Sequence, residues 1–419
     1  MKDELVSIGE KVVKRALEIG FDEAAVTVTY VNSSMTKFAN SEPSVIQSWK
    51  GRRVAVYVAK NKRILGTEGS VQSINDVYDI LNRLHVLSEK IPESMLYAPL
   101  PKPEKIDFME KLVDTKVLEI IEDPSPISQL IVEATHRENI EYFAGMFEAK
   151  YEARALVTST GAELFEDATS VKSYVRAFAG EGSGQWSVGF RKLDLKKIEN
   201  MAETASRYAT MARHQEEISP GKYNIILSPM VAGNLMNYVA MMASAMRVMM
   251  GMSIFANKAP GTRIASEKFT LIDDPRNPEL PNSWSFDEEG MPTFSKPIIE
   301  NGVLKTLLHN TKTAAKMGAK STGNAGLIFP HPWNLRVPEG EYSLEELIEE
   351  AKNGFLVTNN WYTRLQNYIE GTFSTITRDA ILVIKNGEIA GAAKKFRIAD
   401  SFPRMLNNII ALGKEVFDI

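Results

Sequence analysis

Two short segments in the second half of the chain are rich in carboxylates. Residues 286–290 read Phe-Asp-Glu-Glu-Gly and follow shortly after the pair Asp273 and Asp274. Paired carboxylates such as Asp287 and Glu289 can bind a cation or act as acid and base, and the glycine permits a tight turn. The same residues are also typical of a solvated acidic turn that caps a neighbouring helix, and spacing alone favours this second interpretation.

Two other polar segments have compositions that suit the binding of a ligand. Residues 321–326 read Ser-Thr-Gly-Asn-Ala-Gly, and the amides of such small residues, around Asn324, can approach a peptide backbone closely. A plain turn fits this segment equally well. Residues 359–368 combine amide, aromatic and guanidinium groups, Arg364 and Asn367 among them, as binding surfaces do. An amphipathic strand with its aromatic side chains in the core is the alternative.

The chain is poor in the residues that bind metals. It has no cysteine, which excludes disulfides, thiolate metal sites and cysteine nucleophiles. No two of its five histidines are close enough in sequence to form a local ligand pair; they are His85, His136, His214, His309 and His331.

The glycines at 180, 182 and 184 resemble a phosphate-binding loop. A strand pattern follows them, however, so we predict a hairpin.

Composition narrows the class of protein further. Lys and Arg total 49 against 53 Asp and Glu, a formal net charge of -4, which argues against a nucleic-acid partner. Hydrophobic content of 44% and charged content of 24% are ordinary for a globular protein. The first residues are rich in charge and contain no apolar signal-peptide core, so we expect a cytoplasmic protein with no membrane partner.

The elements that must position these side chains indicate an α+β class. Apolar residues recur at helical spacing over residues 5–19, and alternation over residues 26–30 and 54–58 predicts half-buried strands. We therefore expect an N-terminal antiparallel sheet with covering helices, including helices over residues 74–87 and 106–121. A boundary near Pro220 predicts two domains, an N-terminal α+β domain of residues 1–215 and a C-terminal strand-rich domain of residues 216–419.

The second half is predicted to contain a buried, methionine-rich helix over residues 228–251. Ser228 can cap its start, Pro229 suits the first helical position, and Gly251 can end it. Eight of the eighteen methionines fall between Met230 and Met252, so the helix should be buried or covered by a partner. It should not span a membrane, because polar residues interrupt it before roughly 18 apolar residues accumulate.

Turn chemistry marks three further places in this half. The dipeptides Asn301-Gly302 and Asn386-Gly387 stand between apolar segments and predict hairpins. A capping box from Ser343 to Glu346 predicts a short helix.

Taken together, the second half resembles the TldD/PmbA family, whose PmbA branch is also called TldE. The motifs that carry the resemblance are residues 272–275, 286–293, 300–304, 321–325 and 368–374. The first half agrees more weakly, through its opening helix and sheet and through residues 158–161. The resemblance implies a metalloprotease family, and older family names refer to DNA gyrase control. The acidic charge balance gives no physical support for direct DNA binding.

One departure from the family pattern bears on function. The resemblance implies a His-Glu-x-x-x-His zinc motif in the TldD branch, with a further cysteine ligand downstream. In this chain Asn237, Tyr238 and Met242 occupy the positions of the first histidine, the glutamate and the second histidine. Zinc needs about three nitrogen, oxygen or thiolate donors, and amide, phenol and thioether groups do not supply them. The chain therefore resembles the PmbA/TldE branch, and we expect it to bind no metal and to contain no catalytic residue.

The resemblance also implies a partner. In the family, a metal-binding and a metal-free subunit pair as a heterodimer that encloses a chamber where unfolded or short peptides are cleaved, so zinc is expected in a TldD-type partner. Candidate residues for peptide binding or the subunit interface are Asp287, Glu289, Asn324, Arg364 and Asn367. Strand addition would make peptide capture weakly sequence-specific.

Two alternatives remain open at this point. One is a stand-alone homodimer that binds peptides or acts as a scaffold without protease activity. The other is a hydrolase that uses the carboxylates of Asp287 and Glu289 with a metal.

Overall fold

The computed structural model describes all 419 residues, and a long antiparallel sheet organises the first half. Its order is β3-β2-β1-β4-β5-β6, so β1 pairs both with the next strand and with one far along the chain, as in Ala25 opposite Thr158. The strands are β1 (Glu23–Ala39), β2 (Glu42–Lys60), β3 (Arg63–Val71), β4 (Tyr142–Thr158), β5 (Glu163–Ala179) and β6 (Gly182–Phe190).

Five helices cover one face of this sheet. They are α1 (Lys2–Glu18), α2 (Ile74–Ser88), α3 (Thr115–Glu122), α4 (Ser125–Thr135) and α5 (Leu195–Met211). The first two pack on alternate strand residues such as Val26, Val28 and Val56, and the other three pack on Phe143, Phe147 and Val175. Side chains on alternate positions of a strand share a face, which is why the alternation in the sequence predicts this layer correctly.

The second half adds a four-stranded sheet, a second six-stranded sheet and five helices. A four-stranded sheet has the order β11-β10-β9-β12, and a second has the path β7-β15-β14-β13-β8 with β16 also paired to β14. The strands are β7 (Gln215–Glu216), β8 (Asn224–Leu227), β9 (Leu271–Asp273), β10 (Lys296–Glu300), β11 (Val303–Leu304), β12 (Leu335–Arg336), β13 (Gly354–Asn367), β14 (Thr372–Lys385), β15 (Glu388–Ala393) and β16 (Arg397–Ser401). The helices are α6 (Pro229–Met242), α7 (Ala245–Met249), α8 (Thr311–Met317), α9 (Leu344–Ala351) and α10 (Phe402–Asn407). The predicted α+β class is confirmed.

Local turn chemistry is reproduced by the structure. Asn301 and Asn386 adopt positive φ angles of 48° and 53°, and each begins a turn between paired strands. The Ser343 hydroxyl accepts the amide of Glu346 at 3.2 Å, and the Glu346 carboxylate accepts the amide of Ser343 in return. These signals are local in sequence, so tertiary packing does not override them.

Two predicted helices differ from the structure. The helix expected over residues 228–251 is broken, because Ala243 and Ala245 exchange backbone hydrogen bonds with Leu308 while the Ser244 hydroxyl donates to the carbonyl of Pro330. The helix expected over residues 106–121 begins only at Thr115, after Asp114 caps it. In the first case a strand-like contact from elsewhere in the chain replaces the helical pattern.

The methionine-rich helix α6 is buried on one face. Val231, Leu235 and Val239 belong to the core, whereas Asn234 and Asn237 are exposed. None of the ten helices combines the length and the apolar character that a transmembrane span requires.

The two halves of the chain share a core. Leu356 and Leu382 of the C-terminal sheet pack in the same apolar cluster as Phe143 and Ile198 of the N-terminal half. The division into residues 1–215 and 216–419 stays a prediction.

Candidate functional site

The residues predicted to occupy the family's metal-motif positions lie along helix α6. Ser228 caps this helix by accepting the Val231 amide, and Pro229 occupies its first turn, so the local sequence fixes where it begins. Asn237 is exposed, Tyr238 is half-buried and Met242 is 2% exposed. Five residues of α-helix turn the chain through about 500°, which separates Asn237 and Met242 by about 140° around the axis. What separates them here is burial, because Met242 packs in the apolar core whereas Asn237 faces solvent.

Tyr238 is engaged by neighbouring protein groups. Its hydroxyl donates to the carbonyl of Thr363 at 3.2 Å, and its ring stacks on Phe402 with the ring centres 6.4 Å apart. One turn earlier, the side-chain oxygen of Asn234 accepts hydrogen bonds from Asn360 and from the Thr363 hydroxyl, both at 3.1 Å. Direct contacts between the helix and β13 thus occupy the space beside the motif positions.

These side chains do not fit a zinc ion. Met242 packs within the apolar core, the phenol of Tyr238 is used in a hydrogen bond, and Asn237 offers an amide. A zinc site needs about three converging nitrogen, oxygen or thiolate donors with an open position. No group of three or more His, Cys, Asp or Glu side chains is arranged to hold a metal anywhere in the chain.

Asp287 is fully buried and satisfied by backbone amides. One carboxylate oxygen accepts the amides of Glu289 and Met291 at 2.9 and 3.0 Å, and the other accepts the amide of Ala325 at 2.9 Å. Burial, followed by the charge of Glu289, raises the pKa of Asp287 to about 7, and these amides oppose the rise. The Asp287 carboxylate thus joins two loops through hydrogen bonds and is not accessible to a ligand.

Glu289 forms a buried ion pair with Lys312. The two side chains are 3% and 2% exposed, and the second carboxylate oxygen of Glu289 accepts the Thr311 amide at 2.8 Å. The Lys312 ammonium also lies 4.2 Å from the centre of the Tyr57 ring of β2, within cation–π range. The pair joins the start of α8, the acidic turn and the N-terminal sheet.

Asn324 belongs to an adjoining buried network. Its amide donates to Asp273 at 2.7 Å and to the carbonyl of His331 at 2.9 Å. Asp273 also pairs with Lys296 at 3.1 Å and accepts the Trp333 amide at 2.7 Å. Burial lowers the pKa of Lys296, although Asp273 opposes that shift. Asp287, Glu289 and Asn324 therefore hold loops together in this conformation, and a direct contact with peptide stays a prediction for them.

The residues that attach this network to the N-terminal sheet are not among those predicted from the sequence. The guanidinium of Arg154 on β4 lies 4.6 and 4.5 Å from the ring centres of Trp284 and Phe286, and it donates to the carbonyl of Phe286 and to Glu288. Glu166, opposite Arg154 on β5, accepts the Ser285 amide at 2.8 Å. The available signal was a charged residue inside an otherwise apolar stretch, Ala-Arg-Ala-Leu-Val over residues 153–157.

A cavity of about 420 Å³ opens between β1, β2 and the loop that precedes Pro330. Its polar lining includes Thr27, Arg53, Glu68, Glu288 and His331. Burial lowers the pKa of His331, so the imidazole favours its neutral form. None of the five candidate residues lines this cavity, although Gly326 of the small-residue segment 321–326 does.

Arg364 and Asn367 lie apart from the buried network, on the outer half of β13. Arg364 is exposed, 5.8 Å from the Tyr362 ring. Asn367 accepts the amides of Ile369 and Glu370 at 2.9 and 3.1 Å and so shapes the turn into β14. The five candidate residues thus form no single site.

Comparisons with known proteins cover most of the chain. The family models described as the PmbA/TldA metallopeptidase central and C-terminal domains match residues 97–213 and 220–418. The metalloprotease MJ0996 of Methanocaldococcus jannaschii is 28% identical over 96% of this chain and 92% of its own length. The metalloprotease TldD homolog of Buchnera aphidicola is 24% identical over 94% and 80%. The crystal structure of TldE from Thermococcus kodakarensis shares the fold, with a TM-score of 0.83 and 22% identity over 97% and 94% of the two chains.

Proposed function

Because this chain belongs to the PmbA/TldD family of metallopeptidases, we propose that it is the metal-free, TldE-type subunit of a two-subunit protease. The observation that carries the proposal is the replacement of the family's metal motif by Asn237, Tyr238 and Met242. Their placement adds support, since Met242 lies in the core and the Tyr238 hydroxyl is bound to Thr363. In this proposal a TldD-type partner supplies the zinc ion, which activates water for attack on the peptide bond.

The contribution of this chain is structural in that assembly. It stabilises the partner and provides part of the wall of a chamber that holds an unfolded or short peptide. Its buried network supports this role, because Arg154, Glu166 and Lys312 fix the acidic turn against the N-terminal sheet and make a rigid surface. Rigid walls around a peptide reduce the ordering cost of binding.

The test combines metal content with peptidase activity. The purified chain and a candidate TldD-type protein from the same cell are assayed separately and mixed, with elemental analysis of zinc and a mixture of unfolded peptides as substrate. We expect substoichiometric zinc and no cleavage for this chain alone, and cleavage by the mixture that exceeds that of the partner alone. One tightly bound zinc per chain would overturn the proposal.

Co-purification from the native cell distinguishes this proposal from a stand-alone homodimer. A captured partner that carries His-Glu-x-x-x-His supports the heterodimer. A homodimer that captures no such protein, and that changes no candidate partner's activity, rejects it in favour of a scaffold.

A further inference from the structure

One face of the C-terminal sheet carries three arginines that pair with no carboxylate. We call it the arginine face and define it by Trp361, Arg364, Gln366, Ser374, Arg378 and Arg397. Strand pairing puts Arg364 opposite Ser374, and both Trp361 and Arg397 opposite Ile376. Directly paired residues of neighbouring strands point to the same side of a sheet, so these side chains share one face of β13, β14 and β16.

Uncharged neighbours hold the arginine side chains in place. The Arg397 guanidinium and the Gln366 amide both donate to the Ser374 hydroxyl at 2.9 Å. The Arg378 guanidinium lies 5.3 Å from the centre of the Trp361 ring, and that of Arg364 lies 5.8 Å from the Tyr362 ring. An arginine has five N–H donors, so these contacts leave most of the donors free.

Two carboxylates of this sheet are paired with other arginines. Asp379 pairs with Arg176 at 2.6 Å, and Asp400 pairs with Arg404 at 2.6 Å. No carboxylate lies within ion-pair distance of Arg364, Arg378 or Arg397, and the rings of Trp361 and Tyr362 are 51% and 56% exposed. Arginine and exposed aromatic residues together are typical of binding hot spots.

We propose that the arginine face binds an acidic segment of an extended peptide, a step that rests on the proposed function and specifies the charge of its substrate. Carboxylates match the guanidinium fork and form two parallel hydrogen bonds with it. Arg364 and Arg397 lie on the strands flanking β14 and are offset by two residues along them, so about 12 Å separates their backbones, the span of roughly three to four residues of extended peptide. A nucleic-acid strand is the weaker candidate, because the proposed function is the cleavage of peptides.

The test measures binding by the isolated full chain, without partner or zinc. Two fluorescent peptides of about 12 residues are compared by anisotropy, one with four glutamates and one with glutamine at the same four positions. We expect the acidic peptide to bind at least about tenfold more tightly, with affinity falling as salt rises. Equal binding of the two peptides would overturn the proposal.

A matched set of variants assigns the binding to this face. The double variant Arg364→Gln/Arg397→Gln should bind the acidic peptide about tenfold or more weakly. The control Arg83→Gln, at an exposed position of α2, should bind as the unmodified chain does. Both altered arginines are exposed, so the midpoint of urea unfolding should stay unchanged. Retained affinity in the double variant rejects the proposal, as does displacement of the peptide by equimolar single-stranded oligothymidylate.

The peptide-binding assay tests one proposal, and the assay of zinc content and peptidase activity tests the other. Either result can be negative while the other is positive. Loss of preference for the acidic peptide leaves the two-subunit protease intact. Zinc in this chain would overturn the two-subunit protease while the binding preference of the arginine face stands.

Discussion

The ammonium group of Lys312 lies against the carboxylate of Glu289, and both side chains are almost fully removed from solvent. The same ammonium faces the Tyr57 ring, so one charge pair connects helix α8 and the acidic turn to strand β2. A buried pair is costly to break on one side, because the remaining charge keeps its desolvation cost and loses its partner.

Replacing Lys312 alone should destabilise the chain strongly. In Lys312→Met the Glu289 carboxylate stays buried with only the Thr311 amide as a donor, and we expect a loss of about 3–5 kcal/mol in the free energy of unfolding. The double variant Glu289→Gln/Lys312→Met removes both charges and should recover a clear part of that loss. Urea unfolding measures both, and a double variant no more stable than the single one contradicts the ion-pair account.

Replacing Arg154 by lysine should lower the stability of the folded chain. Lysine keeps the charge but loses the planar group that lies between Trp284 and Phe286 and reaches the Phe286 carbonyl and Glu288. We expect Arg154→Lys to cost about 2–4 kcal/mol and to speed proteolytic cleavage near residue 286. Arg52→Lys, at an exposed pair with Glu4, is the control and should change stability by less than about 0.5 kcal/mol. Equal losses of stability in Arg154→Lys and Arg52→Lys would contradict the role given to Arg154 in attaching the acidic turn to the N-terminal sheet.

Asp287 should give the chain a defined dependence on pH. Its pKa is raised from 3.8 to about 7, so the folded state holds a proton that the unfolded chain releases near pH 4. The stability that the protonated Asp287 contributes to the folded state is present in full below pH 4 and is lost as pH rises through about 7. Asp287→Asn removes this titration, so the stability of the unmodified chain relative to the variant should fall between pH 5 and 7 and level off above about 8.

Urea unfolding of both proteins at matched pH measures that difference. The neutral, buried histidines 309 and 331 are common to both proteins, so their effects cancel. A difference that stays constant from pH 5 to 8 would show that Asp287 does not titrate there.

Restoring the family motif should not restore a metal site. The variant Asn237→His/Tyr238→Glu/Met242→His places its second histidine in the apolar core, where Met242 is 2% exposed. We expect substoichiometric zinc by elemental analysis and a loss of roughly 2–5 kcal/mol from the buried substitution. The control Asn237→His alone, at an exposed position, should leave stability nearly unchanged. Stoichiometric zinc in the triple variant would show that the helix rearranges around a metal.

Sequence patterns predicted the parts of the fold that depend on neighbours along the chain. Alternation located β1 and β2, and the Asn-Gly turns and the Ser343 capping box were recovered with their geometry. The break after α6 was not predictable, because it depends on Leu308, which the chain brings there only in three dimensions.

The composition of three polar segments predicted the candidate residues, but it did not predict which of them are buried. Asp287 and Glu289 resemble a surface acidic turn in sequence, yet Arg154, Glu166 and Lys312 enclose that turn from distant elements. Arg364 was recognised from its own segment, whereas Arg378 and Arg397 join it only through strand pairing. Sequence spacing does not reveal partners that meet across a sheet.

The order of strands in the N-terminal sheet also has a consequence for synthesis on the ribosome. Strand β1 is central, but its second neighbour β4 is made only after the whole segment that contains α2, α3 and α4. Until then one edge of β1 stays open while β2 and β3 already pair beside it. Pairing between strands so distant in sequence is slow, and an open edge in the meantime attracts other nascent strands. We therefore expect the emerging chain to be most prone to aggregation between the synthesis of β3 and β4.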